Sequence, residues 1–380
     1  MSRWLLPEGI ADVLPHEAMH IERLRRALLD LFRSHGYEQV IPPLVEYLDS
    51  LLTGTGRDLD LRTFKLVDQL SGRQLGLRAD ITPQTARIDA HILNRAGVVR
   101  LCYAGAVLHT RPAHPLASRE PLQVGAELYG FAGLQADAEI QSLAVQSLRM
   151  AGQATVQVDL GHTGITRALL AADPVAAARV DDLLAALGAK DLPTLRDLSR
   201  PLAAATRDAL QALARLHGAP EAVLSQARRV LPSQAAVTQA LDDLGWLAAR
   251  LPADRVTIDL SDQHGYRYYT GVNFAAYGDA PAALLRGGRY DDIGRAFGRA
   301  RPATGFSIDM RELTRGNGQP ATRPVLAPAL DDASLREAIA RLRAAGEVVV
   351  QQLGDEQIDH DTAARELRRV DGQWQVVARG

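Results

Sequence analysis

The spacing of hydrophobic residues changes several times along the chain, and each change predicts a different element. From Ile21 to Phe32, apolar residues recur at helical spacing and predict a helix over about 16–34, which Gly36 ends. Residues 37–47 are expected to be extended, because their two adjacent prolines exclude a helix. Residues 61–78 alternate weakly around a Ser-Gly-Arg turn and predict a hairpin.

The next stretch alternates between helix and strand signals. Thr82 and the proline after it predict the start of a helix that runs to about Asn94, with Thr82 as its cap. Two strands are predicted within 98–131, separated by a loop rich in proline and arginine. A helix over about 135–151 and a strand over 155–160 complete this part.

Residues 165–250 have a different character, since they are rich in Ala, Leu, Asp and Arg and almost free of aromatic residues. They predict roughly four to six helices broken near prolines. Strand signals resume at 256–260, which indicates that the helical segment is an insertion. A glycine-rich stretch, RGGRYDDIG, and a helix near 305–314 are expected after it.

The C-terminal residues predict a small unit of their own. After a linker at 314–323, the pattern indicates a strand, a helix over 333–345, a strand, a helix over 361–369 and a last strand. We therefore expect a discontinuous core domain at 1–164 and 251–313, a helical insertion at 165–250 and a small α/β unit at 324–380.

Composition narrows the class of protein. The 380 residues are 47% hydrophobic and 23% charged, as in globular proteins, and their net charge is −2. This charge does not indicate a nucleic-acid-binding surface, for which a domain pI above about 9 is typical. One cysteine, Cys102, excludes an intrachain disulfide and a cysteine zinc cluster. Since the sequence has neither a secretory leader pattern nor a long apolar run, we expect a cytoplasmic protein.

Several local patterns have simpler explanations than catalysis. RGGRYDDIG invites a phosphate-loop interpretation, but it has neither the GxxxxGK[ST] nor the GxGxxG order, so a strand–turn–helix junction is favoured. His162, Asp60 and Asp68 have no partners at metal-ligand or acid–base spacing. We therefore predict no metal, no cofactor and no classical hydrolase site.

An ordered series of motifs resembles the class II histidyl-tRNA synthetases. The series comprises GIADVLP (9–15), GYE (36–38) with Pro43 and Glu46, LRADIT (77–82), REPLQVGAE (119–127), HGYRYY (264–269), GGRYD (287–291) and GFSIDMREL (305–313). The resemblance covers roughly residues 4–313 and implies a mostly antiparallel sheet flanked by helices. That α+β class agrees with the predicted hairpins and segregated helices. It also implies a dimer interface at the family's motif 1, which GYE (36–38), Pro43 and Glu46 resemble.

The resemblance implies a histidine-binding pocket. The residues at the matching positions are Asp80, Thr82, Gln123, Glu127, Tyr268, Tyr269 and Tyr290. The family pattern implies Asp80 and Thr82 at the amino group of the ligand and Glu127 at its imidazole, with the tyrosines closing the ring pocket. These groups suit an ammonium and an imidazole N–H, which need acceptors. Asp80 stands where the family has a longer glutamate, so we expect its contact to be longer or water-mediated.

The same resemblance implies a damaged ATP site. His109 and His264 stand where the family has arginines, and the terminal Glu-Arg of the family is reversed to Arg311-Glu312, which puts Glu312 at a nucleotide-facing position. Positioned arginines stabilise the charge of reacting phosphates, and a neutral histidine lacks their bidentate fork. Arg111 could replace one of these arginines but not all of them. We expect histidine binding without adenylation, and no catalytic residue.

The forms LRADITPQTAR, SREPLQVGAELYG and GYRYYTGVNF also resemble a non-catalytic branch of this family, the regulatory subunits of ATP phosphoribosyltransferase. This resemblance implies a short-form catalytic subunit as partner, L-histidine as feedback effector, and a dimer within a larger hetero-oligomer, with no membrane or nucleic-acid partner. Two alternatives stay open. An active histidyl-tRNA synthetase is disfavoured by the altered arginines, and a tRNA-binding or translation-control module by the near-neutral charge.

Overall fold

The computed structural model describes residues 4–54, 57–114, 117–279, 282–315, 323–354 and 363–379. Contacts between residues divide the chain into two compact units, Met1–Asn317 and Gly318–Gly380. Among the described residues, no helix combines the length and the apolarity that crossing a bilayer requires.

The two longest described helices of the first unit have 20 and 17 residues, and a series of helices of 8 to 14 residues occupies its middle part. Its α-helices are α1 (Pro15–Ser34), α2 (Leu48–Leu51), α3 (Arg57–Arg62), α4 (Thr82–Arg87), α5 (Leu134–Met150), α6 (Thr163–Ala171), α7 (Val180–Gly188), α8 (Leu192–Ser199), α9 (Ala204–Leu213), α10 (Pro220–Val230), α11 (Ala235–Ala248) and α12 (Met310–Thr314). A π-helix (Ile88–Leu93) continues α4, and two 3-10 helices lie at Ala176–Arg179 and Ile293–Phe297.

The strands of the first unit form two sheets. They are β1 (Glu38–Gln39), β2 (Val45–Tyr47), β3 (Phe64–Val67), β4 (Gln74–Leu77), β5 (Val99–Ala106), β6 (Leu122–Tyr129), β7 (Gln157–His162), β8 (His217–Gly218), β9 (Arg255–Asp259), β10 (Val272–Tyr277), β11 (Ala283–Arg289) and β12 (Ala303–Asp309). Over the described residues, the large sheet has the order β1-β5-β6-β12-β11-β10-β7-β9-β8, and β2-β4-β3 form the small one. Only the β1–β5 and β7–β9 pairs of the described large sheet are parallel, so the predicted α+β fold with a mostly antiparallel sheet is confirmed.

Helices α1 and α5 cover one face of the large sheet. The buried residues of α1 follow a helical period, from Ile21 through Leu24 and Leu28 to Phe32, and they belong to the main hydrophobic core. The ring of Phe32 meets Phe306 of β12 edge to face, with ring centroids 5.9 Å apart. Because this face is filled by helices, polar side chains on the alternate positions of the strands point to the opposite face.

The helical insertion lies between two neighbouring strands. β7 and β9 pair in parallel, with Gln157 opposite Arg255, and parallel neighbours need a long crossover connection. Helices α6 to α11, from Thr163 to Ala248, supply this connection. The short strand β8 inside it was not predicted, and it pairs with β9 at the edge of the sheet.

The predicted helix near 305–314 is wrong over most of its length. Residues up to Asp309 form β12, and only Met310–Thr314 is helical. β12 pairs with β6 on one side and β11 on the other, so Gly305 pairs with both Glu127 and Gly288. This two-sided pairing outweighs the apolar spacing from which the helix was predicted.

The second unit is a four-stranded sheet with one helix among its described residues. Its elements are β13 (Val325–Ala327), α13 (Ala333–Ala344), β14 (Val349–Gln351), β15 (Arg365–Val370) and β16 (Gln373–Ala378), with the sheet order β14-β13-β15-β16. The helix predicted over 361–369 is wrong, because Arg365–Val370 is a strand; residues 361–362 lie outside the described residues. Asp371 and Gly372 both have positive φ, 49° and 79°, and join β15 to β16 as a tight hairpin.

Candidate functional site

Glu127 lies at the centre of a cleft on the face of the sheet opposite α1 and α5. Its neighbours Ala126 and Leu128 on β6 belong to the main core, so the strand alternation turns Glu127 and Gln123 to the other side. Glu127 is 1% exposed. Its partner on β12 is Gly305, where a Cβ atom would overlap the Glu127 carboxylate. The glycine therefore makes room for the acid.

Three hydroxyl groups surround the Glu127 carboxylate. Thr82 Oγ1 donates to Glu127 Oε1 over 2.9 Å, and Tyr103 Oη donates to the same oxygen over 3.0 Å. Tyr290 Oη donates to the other oxygen, Oε2. Burial raises the pKa of Glu127 to about 8, although these three hydrogen bonds act in the opposite direction. At pH 7 this raised pKa favours the neutral acid over the carboxylate.

Asp80 provides a second acceptor beside Glu127. Gln123 Nε2 donates to Asp80 Oδ1 over 2.8 Å, and the backbone N–H of Thr82 donates to the same oxygen over 3.0 Å. Gln123 is held in turn, because its Oε1 accepts from the backbone N–H of Ile81 over 2.9 Å. The predicted helix cap is wrong: Ile81 is the N-cap of α4, and the Thr82 hydroxyl bonds Glu127 instead.

Tyrosine rings form one wall of the cleft. The ring centroid of Tyr268 lies 5.5 Å from that of Tyr269, edge to face, and 5.0 Å from that of Tyr290. Burial raises the pKa of all three phenols, so they are neutral at pH 7. Among the described residues, the buried hydroxyl of Tyr268 has no hydrogen-bond partner. A polar ligand group in the cleft would satisfy it.

The cleft opens into a cavity of about 1040 Å³. Besides Asp80, Glu127 and the tyrosines, its lining includes residues of the insertion helix α7, such as Asp181 and Leu184. Arg267 belongs to the segment 264–269, here called the tyrosine loop, and forms an ion pair with Asp181. Within the described part of the chain, no group of three or more His, Cys, Asp or Glu residues is placed to hold a metal ion.

The predicted ATP-site positions separate in space. His264 lines the cavity. His109 is buried beside it, with Nε2 2.8 Å from a guanidinium nitrogen of Arg62. Glu312 is not among the described residues that line the cavity, and it forms an ion pair of 3.0 Å with Arg315. Arg111 is likewise absent from the described lining.

Sequence reasoning missed three residues at this site. Tyr103 supplies one of the hydroxyls on Glu127, and Arg62 and Arg286 line the cavity. Tyr103 lies on β5 opposite Gly125, and a Cβ on that glycine would overlap the tyrosine hydroxyl. The glycine two positions before Glu127 was thus a signal for a large partner on the next strand. No local signal marks the two arginines.

The chain is similar in sequence to two described protein families. The family model described as histidyl-tRNA synthetase matches residues 9–313, and the model described as ATP phosphoribosyltransferase subunit HisZ C-terminal domain matches residues 322–377. A curated protein of Ralstonia pickettii (strain 12J), named ATP phosphoribosyltransferase regulatory subunit, is 57% identical over 382 residues, which cover 100% of this chain and 98% of the relative. The chain belongs to the family of ATP phosphoribosyltransferase regulatory subunits.

A second curated relative and a solved structure are also similar to this chain over nearly its whole length. The regulatory subunit of Paraburkholderia xenovorans (strain LB400) is 57% identical over 383 residues, with 100% of both chains covered. A crystal structure from Bacillus halodurans C, described as an ATP phosphoribosyltransferase regulatory subunit/histidyl-tRNA synthetase, has a TM-score of 0.83 and 28% identity, and covers 95% of this chain and 96% of its own. The family name identifies the chain as a regulatory subunit and not as the catalytic enzyme.

Proposed function

We propose that this regulatory subunit binds L-histidine in the cleft around Glu127 and transmits feedback inhibition to a short catalytic ATP phosphoribosyltransferase subunit, which it also activates. The observation that carries the proposal is the buried Glu127 carboxyl group among the hydroxyls of Thr82, Tyr103 and Tyr290. Glu127 Oε2 accepts one of these hydrogen bonds, from Tyr290, so a carboxylate there can still accept an imidazole N–H from the ligand.

The amino end of the ligand fits the second acceptor. Asp80 lines the cavity, and among the described residues its carboxylate accepts from the neutral donors Gln123 Nε2 and the backbone N–H of Thr82. Tyr268 and Tyr269 supply flat apolar surfaces for the ring, and the Tyr268 hydroxyl still requires a partner. Acceptors at both ends and aromatic surface between them suit histidine better than an aliphatic amino acid.

The positions matching the ATP site of the synthetases do not supply the positive charges that adenylation of histidine requires. His109 cannot supply the missing positive charge, because burial and the nearby Arg62 lower its pKa to about 4. Glu312 is paired with Arg315 away from the cavity. The proposal therefore excludes a role as an active synthetase, and it includes a cytoplasmic location, where amino-acid biosynthesis and its feedback take place.

Regulation requires that histidine binds one state of the assembly better than another. The insertion offers a route for such a difference, because α7 lines the cavity and Asp181 on it pairs with Arg267 of the tyrosine loop. A ligand that orders this loop also acts on α7. We therefore expect histidine binding to change the position of α7 through the Asp181–Arg267 ion pair.

A dimer of this chain is part of the proposal. Val45, Tyr47 and Leu66 lie on one face of the small sheet, since they oppose Leu75 or Leu77 across its strands. These three are 37%, 39% and 45% exposed. A partner copy would cover this apolar face. Light scattering should give twice the 41.1 kDa chain mass, and Leu66→Asp should give the monomer mass.

The experiment that tests the function measures phosphoribosyl transfer from phosphoribosyl pyrophosphate to ATP. The short catalytic subunit from the same cell is assayed with and without this chain, across a titration of L-histidine. We expect the chain to raise the rate and to introduce inhibition by histidine. The Glu127→Gln variant should keep the activation and the association with the catalytic subunit, while inhibition shifts to much higher histidine concentrations.

Glu120→Gln is the matched control, because Glu120 precedes the same strand but pairs with Arg311 outside the cavity lining. This control should behave as the unmodified chain. If the chain neither activates nor associates with the catalytic subunit, the partner proposal fails. If Glu127→Gln loses association, the histidine-pocket assignment fails. Histidine-dependent ATP–pyrophosphate exchange by the chain alone would restore the synthetase alternative.

A further inference from the structure

A zwitterionic amino acid brings a carboxylate as well as an ammonium and an imidazole, and the residues described above account only for the last two. Carboxylates in proteins are bound by charged donors, arginine above all, because its planar fork matches the two oxygens. The positions where the synthetase family has arginines hold His109 and His264 in this chain. The donor for the ligand carboxylate must therefore come from elsewhere in the fold.

Arg62 stands at the required end of the cleft. It is the last residue of α3, and it lines the same cavity as Asp80, Thr82 and Glu127. Its guanidinium nitrogen lies 2.8 Å from His109 Nε2, and that ring nitrogen lies 2.9 Å from the carbonyl oxygen of Ala79, the residue before Asp80. The positive charge of Arg62 and the negative charge of Asp80 thus flank one end of the cleft.

This arrangement matches the charges of an α-amino acid. The ammonium and carboxylate of the ligand are attached to one carbon, so a ligand whose ammonium meets Asp80 must place its carboxylate close by. Arg62 donates only, since guanidinium has no acceptor. Arg62 therefore brings a positively charged donor to the Asp80 end of the cleft. The ring of His109 stays neutral at pH 7, because its pKa is lowered to about 4.

The other arginines in the described cavity lining have acidic partners. Arg267 forms an ion pair with Asp181, and a guanidinium nitrogen of Arg286 lies 3.8 Å from Asp262 Oδ2. Arg62 forms no ion pair with the side chains that the structure describes, and its contact is the neutral His109 ring. Within the described side chains, no acidic group neutralises the charge of Arg62.

We infer that Arg62 binds the α-carboxylate of the amino-acid effector and makes the pocket selective for the free amino acid over an analogue without the carboxylate. This inference rests on the histidine pocket proposed above. His109 is then a positioning residue: its ring holds the Arg62 side chain at the cleft, at the position where the synthetase family carries an arginine of its own.

The test compares L-histidine with L-histidinol, in which a neutral hydroxymethyl group replaces the carboxylate. Isothermal titration calorimetry of the full chain measures both affinities. Because a hydrogen bond to a charged group contributes about 1.5–3 kcal/mol, the unmodified chain should prefer histidine by roughly 10- to 100-fold. Arg62→Gln should lose this preference by weakening histidine alone, and His109→Ala should reduce it in the same direction.

Arg267→Gln is the control, since Arg267 lines the same cavity but is already paired with Asp181. It should keep the preference for histidine. Thermal unfolding of each variant checks that the fold is intact. The inference is overturned if Arg62→Gln retains the preference, or if it weakens both ligands equally, which would indicate a structural role.

The outcomes also separate this inference from the function on which it rests. If the unmodified chain binds histidine and histidinol equally, the histidine pocket stands and the role of Arg62 is wrong. If the unmodified chain binds no histidine, the proposed effector is wrong, and the role of Arg62 falls with it. A loss of preference in Arg267→Gln alone would assign the carboxylate to that arginine and overturn the inference.

Discussion

The buried acid Glu127 should make the empty protein less stable as the pH rises. Burial raises its pKa from the ordinary value of 4.5 to about 8 in the folded chain. The folded state therefore binds more protons than the unfolded state between these two values, and stability falls with rising pH in this window. Glu127→Gln removes the titrating group and keeps a side chain of similar shape.

The size of the effect follows from the two pKa values. Each pH unit between them corresponds to about 1.4 kcal/mol, so the whole displacement from 4.5 to about 8 corresponds to an upper value on the order of 5 kcal/mol. Well below pH 4.5 the Glu127 side chain is protonated in both the folded and the unfolded state, so it does not lower the free energy of unfolding. Above pH 8 the full cost is present, because the folded protein then holds a buried carboxylate.

Urea unfolding of the unmodified chain and of Glu127→Gln at pH 5 and at pH 8.5 measures this cost. The stability of the variant relative to the unmodified chain should increase by about 3–4 kcal/mol from the lower to the higher pH, because part of the cost is already present at pH 5. Other titrating groups are common to both proteins and cancel in the difference. An equal difference at the two pH values would refute the reasoning, since it would mean that the pKa of Glu127 is not raised by burial.

Three further predictions concern the packing around this site and in the second unit. Gly305→Ala should destabilise the chain by about 1–3 kcal/mol in denaturant unfolding and weaken histidine binding in calorimetry, because the new Cβ would overlap Glu127. Arg289→Met should cost about 3–5 kcal/mol, because it leaves the 1%-exposed Asp137 carboxylate without its 2.6 Å partner; a loss below 1 kcal/mol would contradict this reading of the pair. Gly372→Val should lower the melting temperature of the second unit, since φ is 79° there, and an unchanged melting curve would show that the turn tolerates a β-branched residue.

Local sequence signals predicted many of the elements correctly. The apolar spacing from Ile21 to Phe32 predicted α1, and the near absence of aromatic residues, together with proline breaks, predicted the helices within 165–250. Where local spacing failed, at Gly305 and in Arg365–Val370, strand pairing on both sides decided the structure. Asp371-Gly372 was a usable hairpin signal that the helical spacing before it obscured.

The order of motifs along the chain selected candidate site residues, but it did not give the contacts between them. The motif order indicated Asp80, Gln123, Glu127 and the tyrosines, because each lies in a short segment with a recognisable pattern. The structure places these groups around one cleft through side-chain hydrogen bonds across the sheet.

Periodicity and short motifs are local properties of the chain, and they were enough to predict the α+β class and to select Asp80, Gln123 and Glu127 as candidate acceptors. Tertiary contacts bring Tyr103 and Thr82 to the same oxygen of Glu127 and place Arg62 against the ring of His109, and they keep Glu312 out of the described cavity lining. These contacts join residues from different elements, and no spacing along the chain encodes them. The charge balance of the cleft is therefore a property of the fold, since it depends on which side chains the fold brings together.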